Sequence, residues 1–271
     1  MATYVITGVS RGLGWEFLNQ ISSNPDNIVV GIVRNKSSTD KRVAEELSGR
    51  SNITILEADL TSYDAVKKAA ESSIAVTGGK VDYIIANAGY VPTWDMWDGL
   101  DVLGEKHVEL EEQFTTLLRT NVIGNIYLFN SFMPQVLQSK VKKVATISSG
   151  MGDMDFVKDY DISMAPLYSA SKAAMNMIAA KFSAQFKKDG VLFLSICPGM
   201  VDVGHFETIT PEQQPALEST LEKFKRYSPT FSGPDTPPES IKAVLSVINN
   251  SSIENGAAGA YLSHFGNKRW V

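Results

Sequence analysis

Tyr168 and Lys172 stand four residues apart in Tyr168-Ser169-Ala170-Ser171-Lys172, near the start of a strongly helical stretch. On a helix that spacing puts both side chains on one face. A free tyrosine loses its proton only near pH ~10, and a neighbouring ammonium stabilises the phenolate and lowers that value. Such a phenol could deliver the proton that a carbonyl oxygen needs as hydride reaches its carbon. The spacing alone is a weak signal, because Tyr63 and Lys67 share it among the nine tyrosines. Context separates the two pairs. Tyr63 follows the third expected strand with no polar catalytic group before it, whereas Tyr168 lies downstream of Ser148-Ser149.

A second group of residues could hold phosphate. Thr7-Gly8-Val9-Ser10-Arg11-Gly12-Leu13-Gly14 falls between the first expected strand and the first expected helix. Glycines there permit a tight turn and let a pyrophosphate approach the backbone at a helix N-terminus. The spacing G-x-x-x-G-x-G departs from the general dinucleotide fingerprint, and an ordinary glycine-rich turn is the competing reading. Its place in a βα turn favours the phosphate cradle. Folds that hold a free ribose 2′-hydroxyl place an acid about 20 residues beyond the glycines. Here Arg34 stands at the end of Val29–Val33, and that strand has no acid. A guanidinium offers a planar fork to a phosphate, and Arg11 could reach the same group. The expectation is NADP(H) in preference to NAD(H).

Both groups need elements to position them. Apolar, β-branched runs occur at Tyr4–Thr7, Ile28–Val33, Ile53–Leu56, Val81–Ala86, Val144–Ile147, Val191–Ile196 and, weakly, Ala260–Leu262. They are continuous rather than alternating, which suits strands covered on both faces of a parallel sheet. Helix-like segments lie near 12–21, 39–48, 62–76, 109–138, 167–188 and 238–250. The alternation predicts an α/β chain, a doubly wound parallel sheet of about seven strands with helices on both faces and right-handed crossovers. Stretches 90–108, 150–166 and 200–237 break the rhythm, and the last holds five prolines and no strong periodicity. Each follows an expected strand, so each should emerge at the carboxyl edge, where open α/β sheets bind ligands. None is long enough to stand alone, and residues 1–271 read as one domain.

Composition narrows the function classes. The chain of 271 residues is 44% hydrophobic and 20% charged, with a formal net charge of -5. That is globular composition, and it gives no global electrostatic reason to bind nucleic acid. Cys197 is the only cysteine, and His107, His205 and His264 show no metal-ligand spacing, so a disulfide scaffold and structural zinc are not expected. Cys197, just before Pro198, reads as a small buried hydrophobe. The uncharged stretch from Thr120 to Ser139 contains Asn121, Asn125, Asn130, Pro134, Gln135 and Gln138 and is too polar to cross lipid unaided. With no signal-peptide pattern at the N-terminus, the expectation is a cytoplasmic protein.

Taken together, the motifs resemble the short-chain dehydrogenase/reductase family along almost the full length of the chain. T-G-x-x-x-G-x-G matches Thr7–Gly14, N-A-G matches Asn87-Ala88-Gly89, and the family asparagine matches Asn121. The serine element matches Ser148-Ser149, Y-x-x-x-K matches Tyr168–Lys172, and the P-G turn matches Pro198-Gly199. The resemblance implies a Rossmann-type fold with Tyr168 as general acid in reduction and base in oxidation. It implies that Lys172 lowers the Tyr168 pKa and binds the nicotinamide ribose. Ser149, three residues before Gly152 as in the family pattern, would bond the substrate oxygen. Asn121 would hold a water of the proton relay. Asp59, followed by Leu60, resembles the family's adenine-contacting aspartate, and Gly8, Ser10, Gly12, Leu13, Gly14, Val201 and Val203 would complete the cofactor contacts. Two departures stand out. Val203 replaces a frequent threonine that meets the carboxamide, leaving backbone near Val201 to do so. Ser149 and Tyr168 are nineteen apart, more than is usual, and the surplus in Asp153–Ser163 is expected to form a flap.

The irregular stretches carry Tyr90, Trp94, Trp97, Met151, Met154, Phe156, Met200 and Phe206, and His205 is a further substrate-contact candidate, with a solvated loop histidine as the alternative. Apolar pockets with few polar groups accept bulky hydrophobic ligands. The expected substrate is a ketone or aldehyde on a large ring system. A looser resemblance to C-factor-like proteins and polyketide ketoreductases points the same way. The expected function is an NADPH-dependent carbonyl reductase. The alternatives are an NADP(H)-binding regulator without turnover and a non-redox isomerase or cyclase on the same scaffold. Apolar residues of 109–138 and 167–188 (Ile126, Leu128, Phe129, Phe132, Met175, Met177, Ile178, Phe182) exceed what one face needs and suggest a homodimer or homotetramer, with coverage of the sheet as the alternative.

Overall fold

A computed structural model describes residues 1–204, 209–211 and 213–271. Seven parallel strands, β1 (Thr3–Thr7), β2 (Ile28–Val33), β3 (Ile53–Glu57), β4 (Tyr83–Ala86), β5 (Lys143–Ile147), β6 (Leu192–Cys197) and β7 (Tyr261–Ser263), form one sheet in the order 3-2-1-4-5-6-7. The order reverses between β1 and β4, so a crevice opens beyond their carboxyl ends. Register is continuous: Val5 lies opposite Val30 and Ile84, and Val144 opposite Ile84 and Phe193.

Side-chain alternation explains the continuous apolar runs. Val5, Val30, Ile84, Val144 and Phe193 face one core, and Ile6, Val29, Ile85, Ala145 and Leu194 face the other. The first core is closed by α3 (Tyr63–Thr77), α6 (Gly124–Leu137) and α8 (Pro166–Phe186), the second by α1 (Gly12–Ser22) and α10 (Pro237–Asn250). Phe129, Phe182 and Phe193 pack with centroids 5.3 to 5.4 Å apart, each fully buried aromatic stabilising the fold by about 1.5–3 kcal/mol. Leu128, Phe129, Phe132, Met175 and Phe182 are all spent on this core, and only Met177 of the eight proposed contact residues is strongly exposed. Their abundance therefore reflects sheet coverage.

Several elements differ from expectation. The single helix expected over 109–138 is α5 (His107–Leu118) and α6, joined by a π-helical turn at Arg119–Ile123. A short α4 (Leu100–Glu105) precedes them, and α2 is Lys36–Glu46. The expected flap holds a helix, α7 (Met154–Asp159), whose Asp153 side chain accepts from Phe156 N–H. Within 200–237 lies α9 (Gln214–Tyr227). Its prolines read as irregularity, yet Pro215 sits in the first turn, where a missing N–H costs nothing. Leu217, Leu221 and Phe224, spaced at i, i+4 and i+7, were the signal to find it. Phe156, Ile162, Cys197, Phe224 and Trp270 form a third apolar cluster above the carboxyl edge. Among the described residues, no helix is long and apolar enough to cross a membrane.

Candidate active site

The turn after β1 and the turn after β4 are stitched together. Gly8 N–H donates to Ile32 C=O at 2.8 Å, Ala88 N–H donates to the Thr7 hydroxyl at 3.0 Å, and Asn87 Nδ2 donates to Thr7 C=O at 3.0 Å. Gly14, in the first turn of α1, lies so close to this turn that a Cβ would be 2.0 Å from Gly8 O and 2.5 Å from Asn87 Nδ2. Only glycine lets the helix start there. Its first turn then points free N–H groups across the crevice. Ser10, Arg11 and Gly12 are exposed, with Leu13 half-buried behind them. The loop after β6 comes across to meet them, with Val203 Cγ1 3.7 Å from where a Gly12 Cβ would lie. Gly89 is a further gap: a Cβ there would sit 3.4 Å from Asn121 Oδ1 and 3.6 Å from Lys172 Nζ. A glycine turn at a helix start fits the pyrophosphate of a dinucleotide.

Arg34 is exposed at the carboxyl end of β2. Asp59, after β3, accepts from Thr61 N–H and the Thr61 hydroxyl, both at 2.8 Å. Burial pushes its carboxyl up, but those bonds and the nearby guanidinium groups of Arg34 and Arg119 hold it below the usual range. Leu60 is buried against Gly124, whose Cβ would come within 2.9 Å of it.

Asn121 occupies the π turn, a feature that often marks functional sites. Its Oδ1 accepts from Tyr90 N–H at 2.7 Å, and its Nδ2 donates to Tyr90 C=O at 3.0 Å and to Ser171 Oγ at 3.1 Å. One side chain therefore ties the β4 loop to α8. Its own C=O accepts from Asn125 Nδ2 at 2.8 Å.

On α8, Lys172 is buried, donates to Ile147 C=O at 2.8 Å, and lies 5.6 Å from the Tyr168 ring centroid. Burial pulls its ammonium down to about 8. Burial also pushes the Tyr168 phenol well above its ordinary value; a hydrogen bond with the Ser149 side chain acts the other way, and Cys197 and Asp95 add to the rise. Ser149 is fixed from behind, its C=O accepting from the Tyr261 phenol and from Gly152 N–H. Its neighbour Ser148 turns away and donates to Asn176 Oδ1 at 2.6 Å.

Ser149 opens onto a cavity of about 380 Å³. Met151, Phe156, Met200 and Trp97 line it as expected from the sequence, together with Thr93, Met96, Met164, Cys197, Gly199, Leu217, Phe224, Trp270 and Val271. No charged side chain lines it among the described residues. Met154 does not line it: it is 81% exposed at the start of α7, two residues and so about 200° around the helix from Phe156, which takes the inward position. Tyr90 and Trp94 also lie outside this wall. The Tyr90 hydroxyl donates to Gln113 Oε1 at 3.1 Å instead. His205 and Phe206 lie outside the described residues. The P-G turn adopts φ +89° at Gly199, where a Cβ would meet His264 Cε1 at 2.7 Å. Sequence reasoning missed Trp270, which stacks on Tyr261 at 4.3 Å and closes over Gly150. Nothing in its local sequence marks it.

Comparison with known proteins places the chain. The family model for short chain dehydrogenases matches residues 2–214. The short chain dehydrogenase virK of Hypocrea virens is 50% identical over 271 residues, and the short-chain dehydrogenase/reductase iacC of Pestalotiopsis fici is 47% identical over 272, each alignment covering all of both chains. Among solved structures, an NADPH-bound carbonyl reductase from chicken fatty liver superposes with a TM-score of 0.77 at 22% identity, covering 98% of each chain. The carbonyl reductase Sniffer of D. melanogaster gives the same TM-score at 20% identity over 98% of each chain. The chain belongs to the short-chain dehydrogenase/reductase family. It is an oxidoreductase acting on CH–OH or C=O groups with a nicotinamide cofactor, on a Rossmann-type fold.

Proposed function

We propose that this chain is an NADPH-dependent reductase of a carbonyl on a bulky, uncharged, hydrophobic substrate, with Tyr168 as the proton donor. The observation that carries this reading is that Ser149, at the wall of an apolar cavity, neighbours Tyr168, with Lys172 on the same helix 5.6 Å from the Tyr168 ring. When bound, the cofactor supplies the hydride.

Ser149 and Tyr168 polarise the substrate oxygen, and Tyr168 passes it a proton. A phenol carries its proton at neutral pH and so is available as the acid for reduction. Lys172 binds the nicotinamide ribose beside Gly89, and Asn121 holds the β4 loop against α8. Gly8, Ser10, Arg11, Gly12, Leu13 and Gly14 cradle the pyrophosphate, and Asp59, Leu60 and Asn87-Ala88-Gly89 bound the adenosine half. Pro198, Gly199 and Val201 hold the nicotinamide end, with Val203 in place of a side-chain hydroxyl. The exposed guanidinium of Arg34, with Arg11 across the turn, supports preference for a 2′-phosphate.

Four methionines and four aromatic rings (Trp97, Phe156, Phe224, Trp270) on the cavity wall support a large apolar ring system as substrate. Initial rates of NADPH and NADH oxidation across a carbonyl panel test the proposal. Faster turnover of neutral, bulky ketones and aldehydes with NADPH is expected. Preference for small polar aldehydes, or equal use of both cofactors, would overturn that part of the assignment.

A further inference from the structure

The start of α8 lacks a cap of its own. Its N-cap residue, Ala165, is in the left-handed region at φ 48°, and no local side chain accepts from the first turn. Pro166 has no N–H to satisfy. The next two are taken by a residue some seventy positions away: Asp95 Oδ2 accepts from Leu167 N–H at 2.9 Å and from Tyr168 N–H at 3.0 Å. Ser169 N–H returns to Ala165 C=O at 2.9 Å, and Ala165 N–H donates to Met96 C=O at 3.1 Å. Every donor at the start of the helix is thus accounted for, and the 95–96 segment supplies the distant partners.

Asp95 is fully buried, and its Oδ1 has no partner among the described residues. Burial pushes its carboxyl above the usual range, against the pull of those two N–H bonds. A buried acid with one oxygen idle is a poor device for stability alone. Its neighbours suggest what it does. Thr93, Met96 and Trp97 line the substrate cavity, so one carboxylate fastens the cavity wall to the backbone of the residue placed as proton donor.

We infer that Asp95 is a positioning residue that sets the Thr93–Trp97 wall in register with Tyr168, and so governs both turnover and which carbonyls are accepted. The inference rests on the reading of Tyr168 given above. The mechanism is geometric: a shift of the first turn by about 1 Å moves the phenol relative to Ser149 and can cost up to about a hundredfold in rate.

The test compares Asp95→Ala, Asp95→Asn and Asp95→Glu with the parent, using one bulky and one small carbonyl and NADPH. Asp95→Ala should lose about tenfold to a hundredfold in kcat and narrow the bulky-to-small ratio of kcat/KM. NADPH affinity, read by fluorescence, should stay within about twofold, because the pyrophosphate cradle is not touched. Asp95→Asn keeps an acceptor and should recover most of kcat. A folded Asp95→Ala chain with a lower Tm but parental kcat and substrate ratio would overturn the inference. Should the alanine chain not fold, Asp95→Glu decides: a changed substrate ratio supports positioning, and a parental ratio refutes it. If the parent reduces no carbonyl, the Tyr168 reading fails, and hydrogen exchange decides this inference independently. Joint loss of protection over 93–97 and 165–169 in either folded variant supports the coupling; unchanged protection refutes it.

Discussion

Asp82 and Asp95 are both buried carboxylates, one at each edge of the same sheet. At the amino edge Asp82 uses both oxygens, accepting from Thr3 N–H at 2.9 Å and from the Ser139 hydroxyl at 2.5 Å, with Lys80 Nζ 3.9 Å away. At the carboxyl edge Asp95 uses one. The same edge holds two more buried polar atoms without partners among the described residues, Asn176 Nδ2 and His264 Nδ1. It also holds Tyr168, Lys172 and Cys197, all shifted by burial, the thiol to about 11. At the amino edge Asp82 is buried and satisfied, which stabilises the fold. The carboxyl edge buries polar groups with bonding capacity left over, which is where perturbed groups gather at functional sites.

Substitution can break that contrast. Asp82→Ala strands a buried N–H and a buried hydroxyl, so urea unfolding should show a loss of about 2–4 kcal/mol, with kcat of the folded fraction unchanged. A matching fall in kcat, or no loss of stability, would erase the distinction between the edges. The companion Asp95→Ala variant strands two N–H groups as well and should lose a comparable stability, but it alone should add a large kinetic loss. The smallest effect belongs to Met154→Ala. Its side chain is 81% exposed beside the cavity wall, so stability should stay within about 0.5 kcal/mol and kcat and KM should not move. A raised KM would put Met154 back in the site.

The half of the molecule that obeys simple periodicities was legible in the sequence. Apolar runs marked six strands clearly and β7 only weakly, and glycines confined to a βα turn marked the cradle, because both follow from local backbone constraints. Tyr168, Lys172 and Ser149 were legible as an ordered set of motifs. The cavity wall was legible only in part. Phe156 and Met154 lie two apart in the same apolar stretch, and only the phase of α7 decides which points inward. Trp270 and Asp95 reach the site through contacts 120 and 73 residues distant in sequence, with Gly150 and Tyr168 respectively. No local pattern encodes such contacts.

The central claim is that Tyr168 passes a proton to a carbonyl oxygen as NADPH is consumed. Single-turnover NADPH oxidation by Tyr168→Phe, with saturating bulky ketone and a separate measurement of NADPH affinity, tests it most directly. The account predicts a rate about 10²- to 10⁴-fold below the parent with cofactor affinity retained. A variant that oxidises NADPH at the parental rate would contradict it.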